Sequence, residues 1–386
     1  MENFSFYNPV KIIFGKGSIS NLTSQLPADT NILVTYGQGS IKRNGIYDQV
    51  MKNLKGFNNF EFGGIEPNPT YETCLKGLEV IRANNIGFLL AVGGGSVIDA
   101  TKFMAAAAHY TGNDNWDIVS KNAPVHSAIP LGTILTLPAT GTEMNSNSVI
   151  TKQATLDKLA FRSPHIMPKF SILDPETTYS LPMNQVVNGV IDAFVHVMEQ
   201  YLTYPVNSPV QDRMAEGLLS TLIEEGLTAY KLEKPSYENR ANIMWAATMA
   251  LNELIGLGVK SDWSTHIIGH ELTAFHGLDH AVTLSIVLPG VMNQKKHDRK
   301  VKILQYGERV WGITKGSETE RLDKAIEKTE TFFNELGVST KLSAYNIGDE
   351  TINRIINRFK ERGIEKIGMQ QDISLEEVKE ILKSQK

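Results

Sequence analysis

The sequence predicts two domains: an N-terminal α/β domain over residues 1–180, built on a parallel sheet, and a C-terminal all-helical domain over residues 181–386. Three observations carry this reading. Short apolar runs alternate with helix-patterned stretches through the first half, as strand–helix–strand units require. After Leu173-Asp-Pro-Glu-Thr-Thr the alternation stops and only helical periodicity follows. The length, 386 residues, suits two domains of about 100–200 residues each.

Asn31-Ile-Leu-Val-Thr-Tyr36 reads as a buried strand, followed by a glycine turn and an amphipathic stretch through Leu54. Phe60-Glu-Phe62 is a weaker strand, and Tyr71–Ala83 has helical spacing. Phe88–Val92 is a strand that runs into three glycines and then a helix over Val97–Ala108; Ser127–Leu137 holds one more strand. Phe4–Tyr7 and Lys11–Phe14 look like short strands ahead of the main sheet. Pro182 suits a helix's first turn, where its missing N–H costs nothing. The helices expected beyond it are Asn184–Leu202, Val210–Leu232, Asn239–Leu257, Asp262–Phe275, Ala281–Asn293, Glu318–Leu336 and Ser374–Leu382. The last opens on Ser374-Leu-Glu-Glu377, a capping box. The cleft between the two domains is the expected site.

Apolar residues make up 41% of the chain and charged ones 21%, ordinary for a soluble protein. The net charge of −4 argues against a nucleic-acid binder, which needs a basic stripe. Cys74 is the single cysteine, so an intramolecular disulfide and a thiolate metal site are excluded and a reducing cytoplasm is expected. No signal-peptide pattern opens the chain, and no apolar run reaches the roughly 18 residues of a membrane helix.

In Gly93-Gly94-Gly95-Ser96 the glycines end a strand and open a helix. Lacking Cβ atoms, they let backbone N–H groups approach an anion such as a pyrophosphate; a plain tight turn is the alternative. The strict G-x-G-x-x-G fingerprint fails, because residue 98 is isoleucine. Gly37-Gln38-Gly39-Ser40 ends the first strand and is followed by Lys42 and Arg43. An NAD site usually places an acid at this strand end for the ribose 2′-hydroxyl, yet no acid occurs between Asn31 and Tyr47. Either a 2′-phosphate is accommodated there or the cations are simply solvated. Leu137-Pro-Ala-Thr-Gly-Thr-Glu143 is a third hydroxyl-rich loop.

Asp192 and His196 lie i,i+4 within the apolar run Val186–Met198, on one helix face. A carboxylate in such a face is costly unless it is paired or bound to a cation. Four of the nine histidines, His266, His270, His276 and His280, follow close together. Both His266/His270 and His276/His280 are i,i+4 pairs, so spacing leaves open which of them are ligands. One Asp and three His would give a divalent site of net charge about +1 with room for a substrate oxygen. Zinc, iron(II), cobalt and nickel all suit such donors.

With these residues in view, the chain resembles the iron-dependent (group III) alcohol dehydrogenases over its whole length. It is most similar to the NADPH-dependent butanol dehydrogenases and broad-specificity aldehyde reductases among them. The matching stretches are Phe14–Gly17, Gly64–Pro69, Gly93–Lys102, Leu173–Pro175, Asp192–His196 and His266–His270 through Gly277–His280. The resemblance implies the dehydroquinate synthase-like architecture, with a Rossmann-like dinucleotide-binding domain and a helical metal-binding domain. It implies Asp192, His196, His266 and His280 as metal ligands, with iron(II) as the ion and zinc(II) as the alternative. His270 then falls beside the nicotinamide as a proton relay, and His276 has no assigned role.

The resemblance also implies NADP(H), with contacts at Gly37, Gly39 and Ser40 near the 2′-phosphate and at Gly94, Gly95 and Ser96 on the pyrophosphate. Asp99, Lys102, Thr136, Thr140, Asn145 and Lys158 match further cofactor-side positions. Gln38 departs from the glycine usual there. The implied reaction interconverts small aldehydes and primary alcohols, in a homodimer. Three rivals stand behind it. A lyase of the dehydroquinate synthase type needs several cations at the metal, whereas Lys260 is the one cation between Ala241 and Gln294. An NAD-dependent glycerol dehydrogenase lacks support from the acid-free first loop. A non-catalytic nucleotide sensor would not need a full ligand set.

Overall fold

Strands whose residues are apolar at every position need cover on both faces, and a parallel sheet between helices gives it. The computed structural model, which describes residues 1–386, contains such a sheet. In chain order the first half runs β1 (Lys11–Phe14), β2 (Asn31–Tyr36), α1 (Ser40–Arg43), α2 (Ile46–Asn53), β3 (Asn59–Phe62), α3 (Tyr71–Ala83), β4 (Ile86–Gly94) and α4 (Gly95–Ala108). It continues with α5 (Asp117–Ser120), β5 (Leu131–Leu137), β6 (Asn147–Lys152), β7 (Asp157–Arg162) and β8 (Phe170–Leu173). Six strands pair in the order β1-β8-β5-β4-β2-β3, every pair parallel, and β6–β7 forms a separate antiparallel hairpin.

The second half comprises α6 (Met183–Tyr201), α7 (Pro209–Lys231), α8 (Tyr237–Ala250), α9 (Ser264–His276), α10 (His280–Gln294), α11 (Lys300–Arg309), α12 (Glu318–Glu335), α13 (Asp349–Glu361), β9 (Lys366–Ile367), β10 (Ile373–Ser374) and α14 (Leu375–Lys383). An all-helical reading therefore needs correcting for the small β9–β10 hairpin. The expected helix to Leu257 stops at Ala250, and the stretch expected to be helical through Leu54 is broken into α1 and α2 at Gly45, whose φ is 80°. Lys11–Phe14 is an edge strand as expected, whereas Phe4–Tyr7 forms none. The capping box at Ser374 is present, with Ser374 and Glu377 bonded reciprocally.

Two units result. One comprises Tyr7–Pro182 with Lys234–Thr248, the other Met1–Phe6, Met183–Glu233 and Met249–Lys386. Most of α8 thus belongs with the sheet: Met244 is in its core, Trp245 meets Phe14 edge to face at 6.0 Å, and Thr248 Oγ1 donates to Glu143 Oε1 at 2.6 Å. The sheet unit has one apolar cluster around α3 and α4 and another around Val34, Leu90, Ile134 and Ile172. The helical unit buries Ile268, Ile286, Val291, Ile355 and Phe359 together, and Phe194 packs on Phe332 and Phe333. No helix is long and apolar enough to cross a membrane.

The middle of the sheet is closely packed. The Phe170 ring stacks on Phe88 at 6.1 Å and covers Gly132, where an added Cβ would lie 2.3 Å from Phe170 Cζ. Gly132→Ala is expected to cost about 1–3 kcal/mol by overpacking. Urea unfolding measures this; a midpoint equal to that of the parent would show that Phe170 yields freely.

Candidate metal centre and cofactor loops

Apolar residues on most faces of α6 bury the helix almost completely, and Asp192 and His196 go in with them, 4% and 5% exposed. Helix α9 ends at His276, Gly277 in the left-handed region (φ 67°) turns the chain, and α10 starts at His280. Asn188 of α6 donates to Asp279 Oδ2 at 2.9 Å, fixing that start against α6. His196 Nδ1, His266 Nε2 and His280 Nε2 then lie 3.8, 4.0 and 3.8 Å from the same atom, Asp192 Oδ1.

Those separations are too long for hydrogen bonds. They are slightly wider than the roughly 3.4 Å between tetrahedral ligands about 2.1 Å from one ion. The ligand atoms of Asp192, His196 and His266 lie within 4.8 Å of one another. Asp192 Oδ1 and His196 Nδ1 are buried and make no hydrogen bond. Burial holds His196 down at about 4, so its imidazole is neutral and able to donate a lone pair. The donor set therefore fits a divalent cation.

Glu199, one turn beyond His196, is the residue that the sequence reading missed. Its Oε2 accepts from His266 Nδ1 and its Oε1 from Thr265 N at 2.6 Å. With Nδ1–H committed to the carboxylate, His266 presents Nε2 toward Asp192. Burial, aided by Asp262 nearby, pushes the Glu199 carboxyl upward, and hydrogen bonding from Thr265 opposes it. Asp262 N donates to Glu199 O at 2.8 Å, and Asp262 is itself gripped by Arg299 at 2.8 and 3.2 Å and by Met369 N at 3.1 Å. Trp263, in the left-handed region (φ 62°), turns its ring edge to His196 and His266 at 6.2 and 5.4 Å. The signal for Glu199 was a second buried acid in an apolar helix.

His270 is partly exposed, its ring 5.1 Å from that of His280 and 6.2 Å from that of His266. His276 turns away, its Nε2 2.9 Å from Thr351 Oγ1. Geometry thus separates the two i,i+4 histidine pairs: one member of each reaches Asp192.

In the sheet unit, Gly93, Gly94 and Gly95 each face a protein neighbour: an added Cβ would come within 2.5 Å of Val97 Cγ2, 2.9 Å of Leu137 Cβ and 2.6 Å of Thr140 Oγ1. The glycines permit close packing of the strand–helix junction, while Gly94 and Ser96 stay partly exposed at the start of α4. Gly39 takes φ 92° with open space where a Cβ would be, beside exposed Gln38 and Ser40. Such a glycine suits an approaching ligand. A Cβ added at Gly37 would lie 3.3 Å from Ile65 O.

The other expected cofactor residues form two groups. Asp99, Lys102 and Asn145 meet around Thr142: Thr142 Oγ1 donates to Asp99 Oδ1 at 2.6 Å, and Lys102 Nζ reaches Thr142 Oγ1, Asn145 O and Asn147 O at 2.9, 2.8 and 2.9 Å. Lys102 is fully buried, so its ammonium anchors the loop 142–147. Burial raises Asp99, opposed by Lys102. Thr136 is buried on β5, and Lys158 stands apart, donating to Asn68 Oδ1 at 2.9 Å. Lys42, expected to be solvated or to face a phosphate, stays open to solvent and pairs with Glu61 at 3.2 Å.

Known proteins bring this arrangement into a family. Residues 9–175 match the model for iron-containing alcohol dehydrogenases, and residues 186–385 match the Fe-containing alcohol dehydrogenase C-terminal model. The chain is 53% identical to the NADPH-dependent aldehyde reductase YqhD of Escherichia coli, covering 97% of each. It is 42% identical to the probable NADH-dependent butanol dehydrogenase 1 of Bacillus subtilis, covering all of both. The crystal structure of the E. coli protein superposes with a TM-score of 0.98 at 52% identity, over 100% of this chain and 99% of that one. The chain belongs to the iron-containing alcohol dehydrogenase family.

Proposed function

We propose that the protein is a metal-dependent, NADP(H)-linked alcohol dehydrogenase that acts as an aldehyde reductase on small aldehydes and their primary alcohols. The observation that carries it is the buried Asp192 Oδ1 with three imidazole nitrogens about it at 3.8–4.0 Å. Asp192, His196, His266 and His280 would hold the ion, iron(II) in keeping with the family and zinc(II) as the alternative. The acid-free loop at Gly37, Gly39 and Ser40 supports NADP(H), as does the cofactor in the name of the E. coli relative. Gly94, Gly95 and Ser96 would take the pyrophosphate at the start of α4.

When bound, the ion supplies Lewis acidity toward a carbonyl oxygen and the reduced nicotinamide supplies a hydride. The chain's own residues do the rest. Asp192 lowers the net charge of the site, and the neutral imidazole of His196 adds none. Glu199 holds His266 in the tautomer that leaves Nε2 toward Asp192. His270, partly exposed and next to His280, would pass a proton between solvent and the reacting oxygen. The single cysteine, Cys74, is buried, which suits a cytoplasmic enzyme.

Turnover of butanal with each cofactor, before and after chelation, tests the reading. Efficiency with NADPH is expected to exceed that with NADH by about tenfold or more, equivalent to ~1.4 kcal/mol. Chelation is expected to abolish turnover and iron(II) to restore it. Equal efficiency with both cofactors would overturn the NADP(H) assignment, and a metal-free protein of full activity would overturn the metal.

Replacing Asp192, His196, His266 or His280 by alanine should remove both bound metal and turnover. His270→Ala should keep the metal and slow the reaction by about 10²–10⁴-fold. Glu199→Gln should weaken metal affinity by about 10–100-fold. Since His276 bonds to Thr351, His276→Ala should affect neither metal nor rate. Metal analysis decides: metal lost from His270→Ala but kept by His280→Ala would make His270, not His280, the ligand.

The homodimer belongs to the same reading. Edge strand β1 carries Phe14, 41% exposed, and the preceding Phe4, Phe6 and Tyr7 are 50%, 46% and 82% exposed. A second copy would cover such an edge. Light scattering at micromolar protein should return twice the chain mass; the mass of a single chain would exclude the dimer.

A further inference from the structure

The acid that the loop after β2 lacks is supplied by the next strand. Glu61 lies opposite Val34 in the β2–β3 register. Its Oε2 accepts from Tyr36 Oη at 2.9 Å and from Lys42 Nζ at 3.2 Å, and its Oε1 accepts from Tyr47 Oη at 2.6 Å. The Lys42 ammonium also sits over both phenol rings, 4.8 Å from the centroid of Tyr36 and 4.5 Å from that of Tyr47. Three of these residues flank the Gly37–Ser40 loop in sequence, Tyr36 before it and Lys42 and Tyr47 after it, and Glu61 joins them from the neighbouring strand β3.

The backbone fixes this cluster to the loop. Gly64 N donates to Gly37 O at 3.0 Å and Ile65 N to Tyr36 O at 3.3 Å, so the exit of β3 is tied to the exit of β2. Gly63 lies against the Tyr36 ring, where a Cβ would come within 2.4 Å of it. Burial opposes ionisation of Glu61, but hydrogen bonds from Tyr47, Tyr36 and Lys42 outweigh it and hold the carboxyl below its usual range. The carboxylate is therefore charged, three donors occupy it, and one of those donors carries the opposite charge. Both groups remain open to solvent, Lys42 44% and Glu61 32% exposed.

A bare carboxylate next to this loop would attract a ribose 2′-hydroxyl and repel a 2′-phosphate; a bare ammonium would do the reverse. We infer that Glu61 and Lys42 form a specificity-determining pair for the adenosine end of the cofactor, in which Lys42 masks the Glu61 carboxylate and so makes the loop tolerant of a 2′-phosphate. This rests on the proposal that NADP(H) binds at Gly37–Ser40. Tyr36 and Tyr47 are positioning residues that hold the carboxylate where the lysine covers it. The absence of an acid from the loop is thus only half of the selectivity; the other half is the neutralisation of an acid close by.

Dissociation constants for NADPH and NADH, measured by nicotinamide fluorescence without any turnover, test the inference. The proteins compared are the wild type, Lys42→Met, Glu61→Gln and the double variant. Lys42→Met is expected to weaken NADPH by about tenfold, an unscreened unit charge acting within a Debye length, and to leave NADH unchanged or tighter. Glu61→Gln, which preserves shape, frees the lysine: NADPH should bind at least as tightly as to the wild type and with a steeper salt dependence. The double variant should return the ratio of the two constants close to the wild-type value. Parallel weakening of both cofactors by Lys42→Met would show a merely structural cluster and overturn the pair. So would an unchanged ratio in both single variants. A wild type that binds NADH as tightly as NADPH would overturn the reading of the loop; the pair is still decided by the shift of the ratio from that wild-type value.

Discussion

A carboxylate packed into an apolar helix face loses its hydration, and that loss costs several kcal/mol unless hydrogen bonds or a cation replace the water. Asp192 has neither at Oδ1 within the chain: no hydrogen bond reaches that atom, and the imidazole of His196, held neutral by burial, supplies no charge. Helices α6, α9 and α10 nevertheless converge on it. The helical unit is arranged around a charge that a bound cation would balance, so ion binding and folding of this unit share one free energy.

Layers of alternating character follow outward from Asp192. Glu199 orients His266 and takes the Thr265 N–H in the first turn of α9, while its backbone carbonyl receives Asp262 N. Asp262 would add an uncompensated second acid, but Arg299, buried with it, returns the balance with two hydrogen bonds. Trp263 between these groups holds a left-handed backbone, a conformation rarely adopted by a bulky residue and sustained here by hydrogen bonds on either side. The end of α9 that faces Asp192 is thereby built into a network running to the start of α11 and to the loop before β10.

Much of this was legible from sequence where the cause is local. The helix over Tyr71–Ala83, the strand over Asn31–Tyr36 and the capping box at Ser374 depend on periodicity and on residues three or four apart, and all were found. Helices α11 and α13 were missed: both are rich in charge, and their burial comes from partners far along the chain. The helix expected to reach Leu257 stops at Ala250, and Glu253 just beyond it takes a φ of 73°, a turn that an apolar pattern reads straight through. Strands β6 and β7 mix polar and charged residues with apolar ones and pair with each other, and β8, Phe-Ser-Ile-Leu, is apolar but only four residues long. Glu61 is hidden from the sequence by topology: the glycine loop follows β2, and the acid stands on the neighbouring strand.

The histidine cluster shows why spacing could propose a site without choosing its members. His266/His270 and His276/His280 have identical i,i+4 spacing, and each pair lies on one helix face wherever that helix continues. Gly277 breaks that equivalence by ending α9, so His276 closes one helix and His280 opens the next. His276 is then drawn off to Thr351. His266 is set apart by Glu199: its carboxylate holds His266 Nδ1 and thereby turns Nε2 toward Asp192. Which imidazoles face the carboxylate is therefore decided by a turn and by a glutamate on another helix, and neither lies in the histidine pattern itself.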